Sequence, residues 1–224
     1  MQYDYTIKAE ISHIKLISKA LDILKSIAKG EISRAASLLP ENKKTHIEII
    51  KEYPEFFDIR MNVARKQLLD LESYYFKSRQ LNILQLGDFG SKLATIKQRF
   101  IDTAIIIKNK RLVYIPIQVT ADDLSIINLA CNLYWNILIY NFDTIVDIIK
   151  HKVDKEMLLE DLKEISYKSK GFLDRNYEFT IDNKCINRKA KWAYDICVTI
   201  DNIDKKDIIK NIGTLPKIKI IKNG

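Results

Sequence analysis

Residues that make tight turns are scarce in this chain, with 6 glycines and 4 prolines among 224 residues. That scarcity excludes a fold of many short strands and sharp turns and predicts long regular elements. The three cysteines, Cys131, Cys185 and Cys197, have no metal or redox spacing. An odd count in apolar surroundings fits reduced, buried thiols of a cytosolic protein. The three histidines, His13, His46 and His151, each stand alone. No G-x-x-x-x-G-K-[ST], H-E-x-x-H or G-x-S-x-G occurs, so those catalytic chemistries have no anchor. Met1–Ile7 is polar and gives no secretory signal. The longest apolar run, Ser125–Phe142, carries Asn128, Asn132, Asn136 and Asn141. It is too polar and too short to span a bilayer.

What is abundant is charge and β-branched apolar surface. Apolar residues make up 47% of the chain, enough for a core and too many for a disordered segment. Lys and Arg exceed Asp and Glu by 37 to 29, a net charge of +8. Such an excess suits an anionic partner such as nucleic acid or a nucleotide. Lysines spread over solvated faces give the same count. Heavy use of Ile, Lys and Asn has the look of an AT-rich genome, which weakens inference from any single Lys or Asn.

The chain carries an internal repeat, the first thing to seek because a missed one mis-assigns the fold. At an offset of 112, half the length, Ile7 meets Val119, Ala9 meets Ala121, Ile14 meets Ile126, Leu21 meets Leu133 and Ile27 meets Ile139. Further on, Arg99–Asn109 lies against Trp192–Asn202 at an offset of 93. Residues 40–62 have no partner in the second half and account for the difference as an insertion. The expected domains are therefore 1–110 and 111–224.

Each half reads as a strand–helix–helix–strand–helix unit. In the first, Tyr3–Ala9 is a strand, and Ser12 caps a helix with Ile14, Ile17, Leu21, Leu24 and Ala28 on one face. Gly30 ends it, and Ile32–Leu39 is a short helix. Asn62–Lys77 is helical, Ile83–Leu86 a strand, Gly87–Ser91 a turn, and Lys92–Ile107 a helix. Lys108–Arg111 is a basic turn between the halves. In the second, Leu112–Val119 is a strand, which Pro116 assigns to an edge. Leu124–Tyr140, Lys155–Ser169 and Lys189–Ile200 are helices. Tyr177–Ile181 and Thr214–Ile221 are strands. The class is α+β, mostly helical with short antiparallel strands, as two fused repeats forming an intramolecular dimer.

Signals for catalysis are poor. Asp122 and Asp123 fall at a helix start, where carboxylates cap free N–H groups, so they are read as structural rather than metal-binding. Asn128, Asn132 and Asn136 share one helical face and are read as a solvated stripe. The suggestive residues combine aromatic faces with cations, as a nucleotide ligand requires. They are Phe89, Arg99 and Lys108 in the first half and Tyr177, Phe179 and Arg188 in the second. The same ingredients serve single-stranded nucleic acid.

Ala20-Leu21-Asp22 with Gly30-Glu31-Ile32, Asn141-Phe142-Asp143-Thr144-Ile145, Tyr177–Ile181 and Ala193-Tyr194-Asp195-Ile196-Cys197 together resemble a family of small phage and prophage proteins. That family includes the anti-Thoeris sponges, which sequester a cyclic ADP-ribose-type immune signal without turning it over. Some relatives capture cyclic oligonucleotides. The resemblance spans most of both halves on loose motifs. It implies a non-enzymatic protein of the host cytoplasm, with no cofactor, no metal and no membrane. It also implies a cyclic nucleotide ligand and self-pairing of units. The family tends to place an Asn in the polar turn before the A-Y-D-I helix, where Asn183 stands here, and an Arg after that segment. Lys108 stands there in the first half but Asp201 in the second, which puts one pocket in doubt. The alternative is a basic nucleic-acid-binding accessory protein of a phage or mobile element.

Overall fold

The computed structural model describes residues 3–39, 54–76, 83–150, 153–170, 188–203 and 218–223. The expected strand Tyr177–Ile181, most of the 40–62 insertion, Cys185, His46 and His151 lie outside them. Strand β1 is Tyr5–Ala9, followed by α1 (Ile11–Ala28), α2 (Ser33–Ala36) and α3 (Pro54–Phe76). A 3-10 turn at Ile83–Leu86 leads into α4 (Gly87–Lys110). The second half continues with β2 (Ile117–Val119), α5 (Ala121–Leu138), α6 (Ile145–Ile148), α7 (Lys155–Lys170), α8 (Arg188–Asp201) and β3 (Ile218–Lys222). The protein is α+β, mostly helical, with one small antiparallel sheet.

The sheet runs β2-β1-β3, so β1 is central and Pro116 precedes an edge strand. Tyr5 pairs with Val119 and Ile7 with Ile117 on one side. On the other side Tyr5 pairs with Lys222 and Ala9 with Ile218. Ile7, Ala9, Ile117, Val119 and Ile218 point inward and are buried. Gln118, Lys219 and Ile221 alternate outward and are exposed, as a period of two requires for a sheet covered on one face.

Helix α1 packs against both α4 and α5, α5 against α8, and α3 against α7. Buried residues from both halves join one apolar cluster. In α4 the inward positions Leu93, Ile96, Phe100, Thr103 and Ile107 recur every three or four residues, the spacing of one helical face. Among the described residues, no helix is long and apolar enough to cross a membrane.

The two long helices end alike. Both are 18 residues, and their starts at Ile11 and Ala121 are 110 apart. Gly30 N–H donates to Ile27 at 2.9 Å and Glu31 N–H to Ser26 at 3.0 Å. In the second half Tyr140 N–H donates to Ile137 at 3.0 Å and Asn141 N–H to Asn136 at 2.8 Å. This is one Schellman cap made twice. Buried positions follow the same offset: Ile14 and Leu124, Ile17 and Ile127, Ala20 and Ala130, Leu24 and Tyr134, Ile27 and Ile137. The correspondence across these helices is thus 110 rather than 112. Helices α2 and α6 are 112 apart, because the turn after α5 is two residues longer.

Several local expectations change. Ser12 does not cap α1: the helix begins one residue earlier, with Glu10 at the N-cap and no side-chain cap bond. Ile83–Leu86 is a 3-10 turn rather than a strand, since a four-residue apolar run has no period of its own. Gly87, at φ +54°, turns the chain out of it, and Gly87–Ser91 is the first turn of α4 rather than a loop. At the other end α4 continues through Lys110 and stops at Arg111, which is left-handed at φ 51°. Only Ile117–Val119 of the Leu112–Val119 run is strand. Leu112, Val113 and Tyr114 are exposed, and Pro116 has no N–H for a ladder.

Candidate functional site

Helix α4 carries three of the expected ligand residues and keeps them apart. At 1.5 Å per residue, Arg99 lies about 15 Å and Lys108 about 28 Å along the axis from Phe89. At 100° per residue they also point in different directions. Phe89 is half-buried in the first turn, and Lys150 Nζ lies 5.1 Å from its ring centroid. The Lys150 N–H donates to Ala28 at the end of α1 (3.4 Å), so this cation–π contact joins the halves. Lys108 is exposed on the last turn.

Arg99 is engaged within the fold. Its Nη1 donates to the Gln118 carbonyl and to Asp123 Oδ2, both at 3.0 Å, and its guanidinium lies 5.5 Å from the Tyr3 ring centroid. Asp123 in turn forms a capping box with Thr120 at the start of α5. Asp4 Oδ2 accepts from the Ala121 N–H at 2.9 Å, and Lys92 pairs with Asp122 at 2.8 Å. The acidic pair is structural, as its place at a helix start predicts. Arg99 works there as a clamp between α4, β2 and α5.

The asparagine stripe is not simply solvated. Asn136 is buried; its Nδ2 donates to the Asn132 carbonyl at 2.8 Å, and its Oδ1 accepts from Asn141 at 2.9 Å. Asn128 Nδ2 donates to Asp201 Oδ1 at 2.7 Å. Asp201, the departure from the family pattern, therefore ties α8 to α5.

Aromatic rings and cations do meet where α8 crosses α1. The His13 and Trp192 rings stack with centroids 5.1 Å apart and planes at 34°. His13 is sealed beneath, while Trp192 is half-buried and keeps exposed surface. Trp135 and Tyr194 make a second pair on the other flank of α8, at 5.2 Å. Lys19 of α1 and Lys189 of α8 are both exposed at this seam. Partial burial and then the Lys189 charge hold the Lys19 ammonium below the ordinary lysine range. Two like charges within Coulombic reach of each other favour an anion nearby. Arg188 opens α8 four residues before Trp192, so the two positions share one side of the helix. Tyr177, Phe179 and Asn183 lie outside the described residues. No local pattern signals the His13–Trp192 seam, because its partners are 179 positions apart.

The described cysteines are poor nucleophiles. Burial pushes the Cys131 thiol well up, and burial together with the Asp201 charge pushes Cys197 up to about 12. Among the described residues no group of three or more His, Cys, Asp or Glu could hold a metal ion. No protein family, curated protein or solved structure matches the chain.

Proposed function

We propose that the chain binds and holds a cyclic ADP-ribose-type signalling nucleotide without turning it over, as a phage-encoded anti-defence sponge in the host cytoplasm. The resemblance of the repeated segments to that family suggests the reading. The observation that carries it is the His13–Trp192 ring pair where α8 crosses α1, with Lys19 of α1 and Lys189 of α8 exposed on the same two helices and within Coulombic reach of each other. In this reading the partly exposed Trp192 ring stacks on adenine, with His13 packed against it. Lys19 and Lys189, with Arg188 at the head of α8, neutralise the pyrophosphate. The two halves are fused copies of one unit, and the chain is a built-in dimer.

A sponge works by affinity alone, so its ligand stabilises the fold by mass action. The test is thermal denaturation against cyclic ADP-ribose isomers, cyclic di- and trinucleotides, and single-stranded DNA. A rise in Tm with one cyclic nucleotide, and its intact release on heating, is the expected result. A shift with DNA alone, steeply weakened by salt, sinks this reading in favour of a nucleic-acid-binding protein.

A further inference from the structure

Tyr140 carries two costs that its counterpart in the first half avoids. It sits at φ 59°, left-handed, in the cap position where Gly30 stands at φ 87°. A side chain with a Cβ is disfavoured there, and a bulky one more so. Its ring is buried, 5% exposed, and among the described residues its hydroxyl has no hydrogen-bond partner. Phenylalanine would pack equally well against Phe142, whose ring meets Tyr140 edge-on at 6.4 Å. The core therefore does not explain the hydroxyl.

The same turn repeats the pattern. Thr144 stands at the N-cap of α6, where a threonine hydroxyl ordinarily caps, yet it makes no cap bond. Its Oγ1 is also buried without a partner. This is the turn that is two residues longer than its first-half equivalent. Arg65 of α3, from the first half, lies within electrostatic reach of the phenol. Burial pushes the Tyr140 pKa up, and the Arg65 charge opposes it. An Arg65 nitrogen also donates to the Leu39 carbonyl, which anchors the guanidinium at this place.

We propose that the Tyr140–Thr144 turn, facing Arg65 across the junction of the halves, is a binding site for a small oxyanion-bearing ligand. Two hydroxyls donate to the oxyanion, and the guanidinium supplies opposite charge. Buried donors left unpaired are costly, so they persist where something fills them. A bound phosphate or carboxylate does so. The site uses other residues than the α1–α8 seam and stands whether or not that seam holds a nucleotide.

The test compares wild type with Tyr140→Phe and Thr144→Val, both near-isosteric, by calorimetry and thermal shift. The probes are inorganic phosphate, pyrophosphate, AMP and cyclic ADP-ribose at millimolar concentration. At least one probe is expected to bind wild type and to bind Tyr140→Phe at least tenfold more weakly. Unliganded Tyr140→Phe is expected to melt no lower than wild type, because it loses only an unpaired group. Three results overturn the site: no probe binding wild type, both variants binding as tightly as wild type, or a lower Tm for unliganded Tyr140→Phe. The last would mean that the hydroxyl holds a structural water. Pyrophosphate binding without any cyclic nucleotide binding would leave this site standing and sink the sponge reading.

Discussion

The Tyr75 hydroxyl on α3 donates to Asp161 Oδ2 on α7 at 2.8 Å, tying a helix of one half to a helix of the other. Tyr75 is half-buried, and burial and the Asp161 bond both keep its phenol protonated. Tyr75→Phe should therefore cost about 1 kcal/mol. That is a Tm loss of about 2–4 °C for a chain of this size. An unchanged melting curve would show that the bond adds nothing across the junction.

The cap of α5 gives a graded prediction. Thr120→Ala removes one side-chain bond and should cost about 1 kcal/mol. Asp123→Ala removes the other half of the capping box and also strips Arg99 of its carboxylate, at about 2 kcal/mol or more. Urea denaturation of the two variants checks the order. Equal losses would mean that the Arg99 clamp is energetically idle.

Alkaline pH should unfold the protein. Burial raises the folded-state pKa of Cys197 to about 12, and burial also raises Tyr134 to about 12. Groups raised in this way contribute stability that is fully present below their unfolded pKa values, about 8.5 for Cys and about 10 for Tyr. That contribution is lost as pH rises through the folded values. Tm should hold to about pH 8.5 and fall progressively beyond it. In a Cys185→Ser background, thiol reagents at pH 8 should react only as fast as the chain opens. Rapid labelling of the folded protein would contradict the burial of Cys131 and Cys197.

Lys19→Met separates stability from binding. The lysine is held below its ordinary range, so at neutral pH its charge weighs against the fold, and the penalty lifts only as pH rises through its folded pKa. The substitution should raise Tm and weaken nucleotide binding at the α1–α8 seam. A variant that melts higher and binds as well as wild type would place the ligand elsewhere.

Much of the frame is legible in the residues. Ile14, Ile17, Leu21 and Leu24 recur at helical spacing, and α1 forms where they do. Asp122 and Asp123 read as structural carboxylates at a helix start, and Asp123 is half of a capping box there. Periodicity could not fix the alignment of the halves, because an apolar stripe tolerates small slides. The Schellman bonds shared by Gly30 and Tyr140 match the ends of the two long helices at an offset of 110. Nor could local pattern decide Ile83–Leu86, which is too short to show a period. The candidate site was least legible. Phe89, Arg99 and Lys108 fit the chemistry, yet one straight helix spreads them along its length. His13 and Trp192 come together only through the packing of helices from opposite halves.

Strand β1 takes one neighbour from the middle of the sequence and the other from residues 218–222. On a ribosome it emerges long before its second neighbour. Until then the inner face of Ile7 and Ala9 and one open edge are available to other strands, a known route to misassembly. Loop closure over such a separation is slow, so the joining of β3 to β1 should be a late event, after the helices have packed. A chain stalled short of residue 218 should therefore hold its helices and yet clump.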